Sequence, residues 1–339
     1  MHVVRFVYTE SHEDHPLCVV DVSDLQAVEL ATWWLQVVRV RSLKLENVDT
    51  VSNTCLEHIT SVVLTNTLLT CGGTALPLVL EELMLEGSVQ MDRHTVRLTA
   101  LQDCQCLQRV KMDHFTLNSL EGFEKLTTLK QVELRATGVG SLTPLSSCIW
   151  LEKLCIGCCE NVHSLEGFER LTVLREVIII SSNVRSLKPL GQCRYLQKLA
   201  MYDCKRLESL EGLQNVYALK ELHLSGAKVT DLSCLRQWKR VVKLVLEGCK
   251  ELQSFEVLQD MRVLTELTLS STRVNDLNFL KNCTELEYLW LYDCIELQSV
   301  QGLEELEKLQ RIYMSNDMRE QVDLSPIPLD KRGIIAYNP

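Results

Sequence analysis

A short apolar pattern, L-x-x-L-x-L, returns along this chain at a nearly constant interval, and no other feature restricts the fold so strongly. Its first positions are Leu107, Leu129, Leu151, Leu174, Leu196, Leu219, Val241, Leu264, Leu286 and Leu309. From Leu129 onward the intervals alternate between 22 and 23 residues, so the full period is 45 and contains two kinds of unit. One kind reads LEKLCIGCCENVHSLEGFERL from Leu151; the other reads LKQVELRATGVGSLTPLSSC from Leu129. Weaker copies begin near Val40, Ile59 and Leu80, and the 27-residue interval from Leu80 to Leu107 implies a short insertion. A period of this length means one winding of chain per unit. One winding cannot enclose its own leucines, so windings must stack and the ends must be capped.

Within each winding the L-x-x-L-x-L segment reads as a short strand with alternate side chains turned inward, as at Leu174, Val177 and Ile179. The tail, S-L-x-G-L or S-L-x-P-L, is too short for an α-helix and suits a 3₁₀ turn or an extended segment. Residues 1–38 read as an N-terminal cap, with strands in VVRFVYT and LCVVDV and a helix beginning at Ser23. Residues 39–316 form the repeat region, and residues 317–339, with Pro326, Pro328 and Pro339, form a C-terminal cap.

These motifs resemble the leucine-rich repeat superfamily, in its short, internalin-like class, over roughly residues 38–316. The resemblance implies an α/β solenoid: a leucine-rich repeat horseshoe or arc, with a parallel β-sheet on the concave face and 3₁₀ or irregular segments on the convex side. The alternating, Cys-bearing units also resemble leucine-rich repeat proteins of trypanosomatid parasites. Some of those carry a RING-type zinc domain; no paired C-x-x-C set is present here. The resemblance implies a non-catalytic protein–protein interaction scaffold, a subunit of a larger intracellular assembly. The alternative it implies is a substrate-receptor or regulatory subunit of a phosphatase or ubiquitin ligase.

Charge points the same way. Acidic residues outnumber basic ones by 45 to 35, a net charge of −10, and no basic run exceeds a few residues. Direct nucleic-acid binding and anionic membranes are therefore not expected. No apolar run reaches the roughly 18–20 residues of a membrane helix. The segment MHVVRFVYTESHEDH lacks the layout of a signal peptide. The expectation is an intracellular protein in a reducing compartment. Phosphate-loop, dinucleotide, serine-hydrolase and H-E-x-x-H motifs are all missing, so neither catalysis nor a cofactor or small-molecule substrate is expected.

Cys155, Cys158, Cys159 and His163 together have the composition of a zinc ligand set. The repeat places them differently. Cys159, Cys204, Cys249 and Cys294 recur every 45 residues at an inward slot, where a side chain satisfies backbone groups as the chain leaves the sheet. The other unit puts Thr137, Ser182, Ala227 and Thr272 there. Cys148, Cys193 and Cys283 form a second column, with Trp238 in the missing rung. Column members on alternate windings lie about 9–10 Å apart, beyond the roughly 7 Å a disulfide tolerates, which favours free thiols. Cys155 is read as outward, so no metal centre is expected here. His12, His15 and Cys18 have tolerable spacing but no further ligands, and read as a solvated loop.

Candidate contact residues come from the outward strand positions. One column alternates in sign from Lys153 through Glu176, Lys198, Glu221 and Lys243 to Glu266, a self-satisfied charge ladder. Ile178, Ile180, Ala200 and Tyr202 make an apolar patch, and Tyr288, Trp290, Tyr292 and Tyr313 cluster on the last two strands. Exposed apolar and aromatic groups of this kind mark contacts, so a protein partner is expected on the concave face. For the aromatic cluster, cover by residues 317–339 through GIIAYNP is the other reading. The acidic LEGFEKL and LEGFER segments read as solvated convex turns.

Overall fold

The computed structural model describes residues 5–9, 17–21, 42–46, 59–65, 79–87, 98–114, 117 and 119–338. The helix expected from Ser23 lies outside these residues, as do His12 and His15. The chain divides into two compact units, Met1–Val162 with Glu166–Leu171, and His163–Leu165 with Thr172–Pro339.

The first unit holds β1 (Arg5–Thr9), β2 (Leu17–Asp21), β3 (Ser42–Glu46), β4 (Ser61–Thr65), β5 (Glu82–Glu86), β6 (Arg109–Asp113), β7 (Gln131–Arg135) and β8 (Lys153–Gly157). Strands β1 and β2 pair antiparallel; from β2 to β8 every pairing is parallel and consecutive. The second unit holds β9 (Glu176–Ile180), β10 (Lys198–Tyr202), β11 (Glu221–Ser225), β12 (Lys243–Val245), β13 (Glu266–Thr268), β14 (Tyr288–Trp290), β15 (Arg311–Ser315) and β16 (Ile335–Asn338). These also pair in parallel, each with the next. Parallel pairing thus begins at Leu17 in the first unit and reaches Asn338 in the second, inside the segments expected as caps. Among the described residues no helix is long and apolar enough to cross a membrane.

One coil shows why the stack forms. Leu196, Leu199, Met201, Cys204, Leu207, Leu210, Leu213 and Val216 are all buried, with at most 2% of any exposed. They enclose the centre only because the same positions of the next coil lie against them. The strand ends are set by backbone geometry at the eighth residue of each coil. Ala136, Cys158, Ser181, Asp203, Ser271 and Asp293 all take positive φ there, between 48° and 56°. This left-handed residue turns the chain out of the sheet while its N–H still reaches the neighbouring strand. Ser181 N donates to Tyr202 O at 2.8 Å and Asp203 N to Ser225 O at 2.9 Å.

The ninth residue is the cysteine slot. Cys159 donates to Gly157 O at 3.2 Å and lies 3.3 Å from Thr137 Oγ1. Cys249 donates to Leu224 O at 3.3 Å and Cys294 to Leu269 O at 3.1 Å. The second column behaves alike: Cys148 donates to Phe123 O at 3.6 Å and Cys283 to Leu258 O at 3.4 Å. In the missing rung, Trp238 Nε1 donates to Leu213 O at 3.3 Å, so the indole replaces the thiol in the same bond. Burial pushes the Cys148, Cys249 and Cys283 thiols up to about 12 and Cys294 up to about 11, so all four stay protonated.

The convex side is built from 3₁₀ turns of two designs. In one, Gly122, Gly167, Gly212 and Gly302 adopt φ between 95° and 103° ahead of a short 3₁₀ segment or turn. The residue two further on accepts the glycine N–H: Glu124 at 2.8 Å, Glu169 at 2.9 Å and Gln214 at 2.9 Å, and Glu304 likewise. Glu124 and Glu169 of the LEGFEKL and LEGFER segments are thus turn-capping groups rather than merely solvated ones. In the other design a five-residue 3₁₀ segment follows a leucine, as at Thr143–Ser147, Lys188–Gln192 and Ser233–Gln237. Val257 occupies the slot of the absent fifth glycine, and that turn, Glu256–Asp260, has switched to the five-residue design. No L-residue takes φ near 100° at low cost.

The C-terminal segment is one more incomplete coil. Asp323 N donates to Gln298 O at 2.8 Å, and Met318, Val322 and Ile327 are buried. Within GIIAYNP, Ile335–Asn338 extends the sheet beside β15 instead of lying across its open face.

Two outcomes test this architecture. Gly212→Ala must force an unfavourable φ and press a Cβ against the backbone of Leu187 and Lys188; a loss of about 2–4 kcal/mol in denaturant unfolding is expected. Alkylation mapped by mass spectrometry should modify the exposed Cys106 and Cys158 in the folded protein, while Cys148, Cys249, Cys283 and Cys294 react only after denaturation.

Candidate functional site

Side chains on the sheet face away from the core fall into rows, because strands pair without slippage. In the second unit the middle row reads Ile178, Ala200, His223, Val245, Thr268, Trp290, Tyr313 and Ala336, each paired to the next. No Asp, Glu, Lys or Arg interrupts it. From β5 to β8 of the first unit, the corresponding stretch of row reads Met84, Lys111, Glu133 and Cys155. It is charged at its centre, and Cys155 lies beside Arg135, whose Nη2 is 3.9 Å from Sγ. Cys159 is turned to the opposite side, into the core.

Beside the uncharged row of the second unit runs the charge ladder. Lys198 Nζ lies 3.9 Å from Glu176 and 3.3 Å from Glu221, and Lys243 Nζ lies 2.7 Å from Glu266. Opposite charges on adjacent strands thus neutralise one another along the flank of the row.

Ile178, Ile180 and Tyr202 come together on β9 and β10, each half-buried. Ala200, expected on the same surface, is 0% exposed and contributes no contact area. The residue that sequence reasoning missed is His223, in register with Ala200. It is only 9% exposed although it stands on the open face. Its Nδ1 is 2.9 Å from Tyr202 Oη, and the two rings meet edge to face at 5.8 Å. Its Nε2 is buried without a hydrogen-bond partner, 3.7 Å from Glu221 Oε2. The tell-tale was available: His223 occupies the same outward strand position as Ile178, two residues after Glu221 of the ladder.

Tyr288, Trp290, Tyr292 and Tyr313 gather at the other end of the row. Tyr288 stacks on Trp290 at 5.9 Å, Trp290 on Tyr313 at 5.3 Å with planes 10° apart, and Tyr313 meets Tyr292 at 6.3 Å. Tyr288 Oη donates to Gln310 Oε1 at 2.9 Å. The rings are half-buried by one another. The final segment sets Ala336 beside Tyr313 and turns Tyr337 toward Arg319, 5.2 Å from its ring centroid, so GIIAYNP does not cover the cluster. Three strands, β11 to β13, separate the aromatic cluster from the Ile178 patch.

No family profile matches this chain, and no curated protein matches it by sequence. Solved structures do. The functional domain of InlJ from Listeria monocytogenes, which includes a cysteine ladder, is similar over 94% of this chain and 72% of its own, with a TM-score of 0.65 at 14% identity. The internalin InlF of Listeria monocytogenes is similar over 82% of this chain and 88% of its own, with a TM-score of 0.60 at 19% identity. A leucine-rich repeat protein of Leptospira interrogans is similar over 88% and 90%, with a TM-score of 0.57 at 17% identity. At these identities the likeness speaks to architecture, and with the 45-residue period and the thiol columns it establishes that the fold is that of a leucine-rich repeat solenoid.

Proposed function

We propose that this protein is a non-catalytic interaction scaffold, a subunit of a larger intracellular assembly, and that it binds a protein partner through the open face of its second unit. Folds of this kind generally serve as protein–protein interaction scaffolds, since stacked repeats create extended surfaces without needing a catalytic pocket. The observation that carries the reading is the uncharged row from Ile178 to Ala336, with Trp290 and Tyr313 near its end stacked together with Tyr288, and Tyr292 tilted against Tyr313. Tyr and Trp are the side chains that dominate interface energetics. The ladder along the flank has already paired its charges, so a partner meets little cost in desolvating unpaired ions. The buried, protonated thiols, spaced too widely within a column to cross-link, support a reducing compartment.

Trp290→Ala with Tyr313→Ala removes the centre of the aromatic stack. The affinity of the partner that co-purifies with the wild-type chain should fall roughly thirtyfold or more, the ~2 kcal/mol of one hot-spot aromatic. Retained affinity alongside a large fall in melting temperature would assign the stack to stability instead. The identity of the co-purifying component separates a structural assembly from an enzyme held by a regulatory subunit.

His223 makes this face pH-sensitive. Burial, and next the Lys243 cation, pull its pKa below the ordinary value of 6.5 against the opposing pull of Glu221. The folded protein prefers the neutral ring, while the unfolded chain takes up the proton more readily. The stability His223 contributes is therefore complete above the ordinary histidine value and is lost as pH falls through the depressed folded value. Melting temperatures measured from about pH 7.5 down to about pH 5 should fall for the wild type and fall less for His223→Gln. Parallel curves would show that His223 does not carry the dependence.

A further inference from the structure

The rim where each coil enters its strand carries a second surface, distinct from the open face. In the two columns immediately before the first leucine, successive coils of the second unit place Arg194–Tyr195, Tyr217–Ala218, Lys239–Arg240 and Arg262–Val263. Backbone bonds hold these coils in register: Lys220 N donates to Gln197 O, Val242 N to Lys220 O and Thr265 N to Val242 O, each at 2.8 Å. Arg194, Lys220, Lys239, Arg240 and Arg262 are all exposed, and among the described residues none of them has a carboxylate within ion-pair reach.

That is unusual in a chain of net charge −10, and it does not follow from poor reach. In the same column two coils onward, Glu285 and Lys308 pair across one coil step at 2.5 Å. Rim neighbours therefore touch when their signs differ. Between Val173 and Val263 the column contains no acid to pair with, and Arg240 has Ala218 and Val263 on either side. Apolar groups are interleaved: Tyr195 is 59% exposed and Tyr217 is 52% exposed. No long basic run in the linear sequence announces this stripe, because it is assembled from coils that recur every 22 or 23 residues.

We infer that this rim docks a short Asp/Glu-rich segment of a protein partner. Guanidinium groups donate two parallel hydrogen bonds to a carboxylate, and the tyrosine rings and Val263 offer contact to apolar residues between the acids. The length is bounded. Four coils span about 15 Å, which about four or five extended residues cover. The stripe includes one acid, the exposed Asp260 four residues before Leu264, and beyond these coils the rim carries Glu285, paired with Lys308, and Glu287, Glu305 and Glu307. A continuous phosphate backbone following the rim would run into that repulsion, whereas a peptide can leave the surface there.

The test uses the full chain and fluorescence anisotropy with two labelled probes: a short peptide alternating Glu with Leu, and an oligouridylate of equal charge. The peptide should bind saturably, weaken with added salt, and lose roughly tenfold in affinity in Arg240→Glu with Arg262→Glu. The neutralising pair Lys239→Gln with Arg240→Gln should lose part of that affinity, guarding against a folding defect in the charge-reversed variant. Trp290→Ala with Tyr313→Ala should leave peptide binding unchanged, which separates this rim from the open face. Absence of saturable peptide binding, indifference to charge reversal, or equal or tighter binding of the oligouridylate would each overturn the inference.

Discussion

A single winding of this chain has no inside. Its leucines line one side of a loop of 22 or 23 residues and find cover only in the windings on either side. Every other feature follows from that dependence. Strands must pair in parallel and without slippage, since a shift by one residue would expose the row that now forms the core. The left-handed residue at each strand end, the 3₁₀ turn and the inward thiol are the local means by which a chain leaves one sheet position and returns to the next.

The thiol columns show how one constraint admits different chemistry. What the slot requires is a donor that reaches a nearby backbone carbonyl, of the preceding coil in the second column. Cys148 and Cys283 meet it with S–H, and Trp238 meets it with an indole N–H. In the neighbouring column Thr272 uses a hydroxyl that bonds Leu269 O of its own coil at 2.6 Å. Of the three thiols that look on paper like a ligand set, Cys159 is a buried donor to Gly157 O, Cys158 is exposed in the left-handed turn at the strand end, and Cys155 accepts from Arg135 on the open face. The glycine column is less forgiving. Where Val257 stands in it, the turn adopts the other geometry.

Because register is fixed, the surface is ordered into rows whose chemistry differs. The second unit offers an uncharged row ending in stacked rings, a ladder of paired charges beside it, and an unpaired basic stripe on the rim. Two surfaces on one stack suit a scaffold that holds a partner at more than one point.

Much of this was legible in the residues. The period of 45 gave away the coils, the outward positions of Ile178, Tyr202, Tyr288, Trp290 and Tyr313, and the structural role of Cys159. The reason is that a one-dimensional stack maps position in the repeat directly onto direction in space. Depth of burial did not follow from position. Ala200 and His223 share an outward row with Ile178, yet both are covered, because coverage depends on the size and pairing of side chains on the neighbouring strands. The course of the final segment was also beyond pattern reading: its apolar residues suited either a lid over the rings or one more coil, and the unpaired edge of β15 took Ile335–Asn338 as a strand. Repeat spacing alone determined the coils and which way each side chain turns; only contact between coils decided which outward groups are covered, which charges find partners, and where the stack ends, since those depend on neighbours that lie 22 or 23 residues away along the chain.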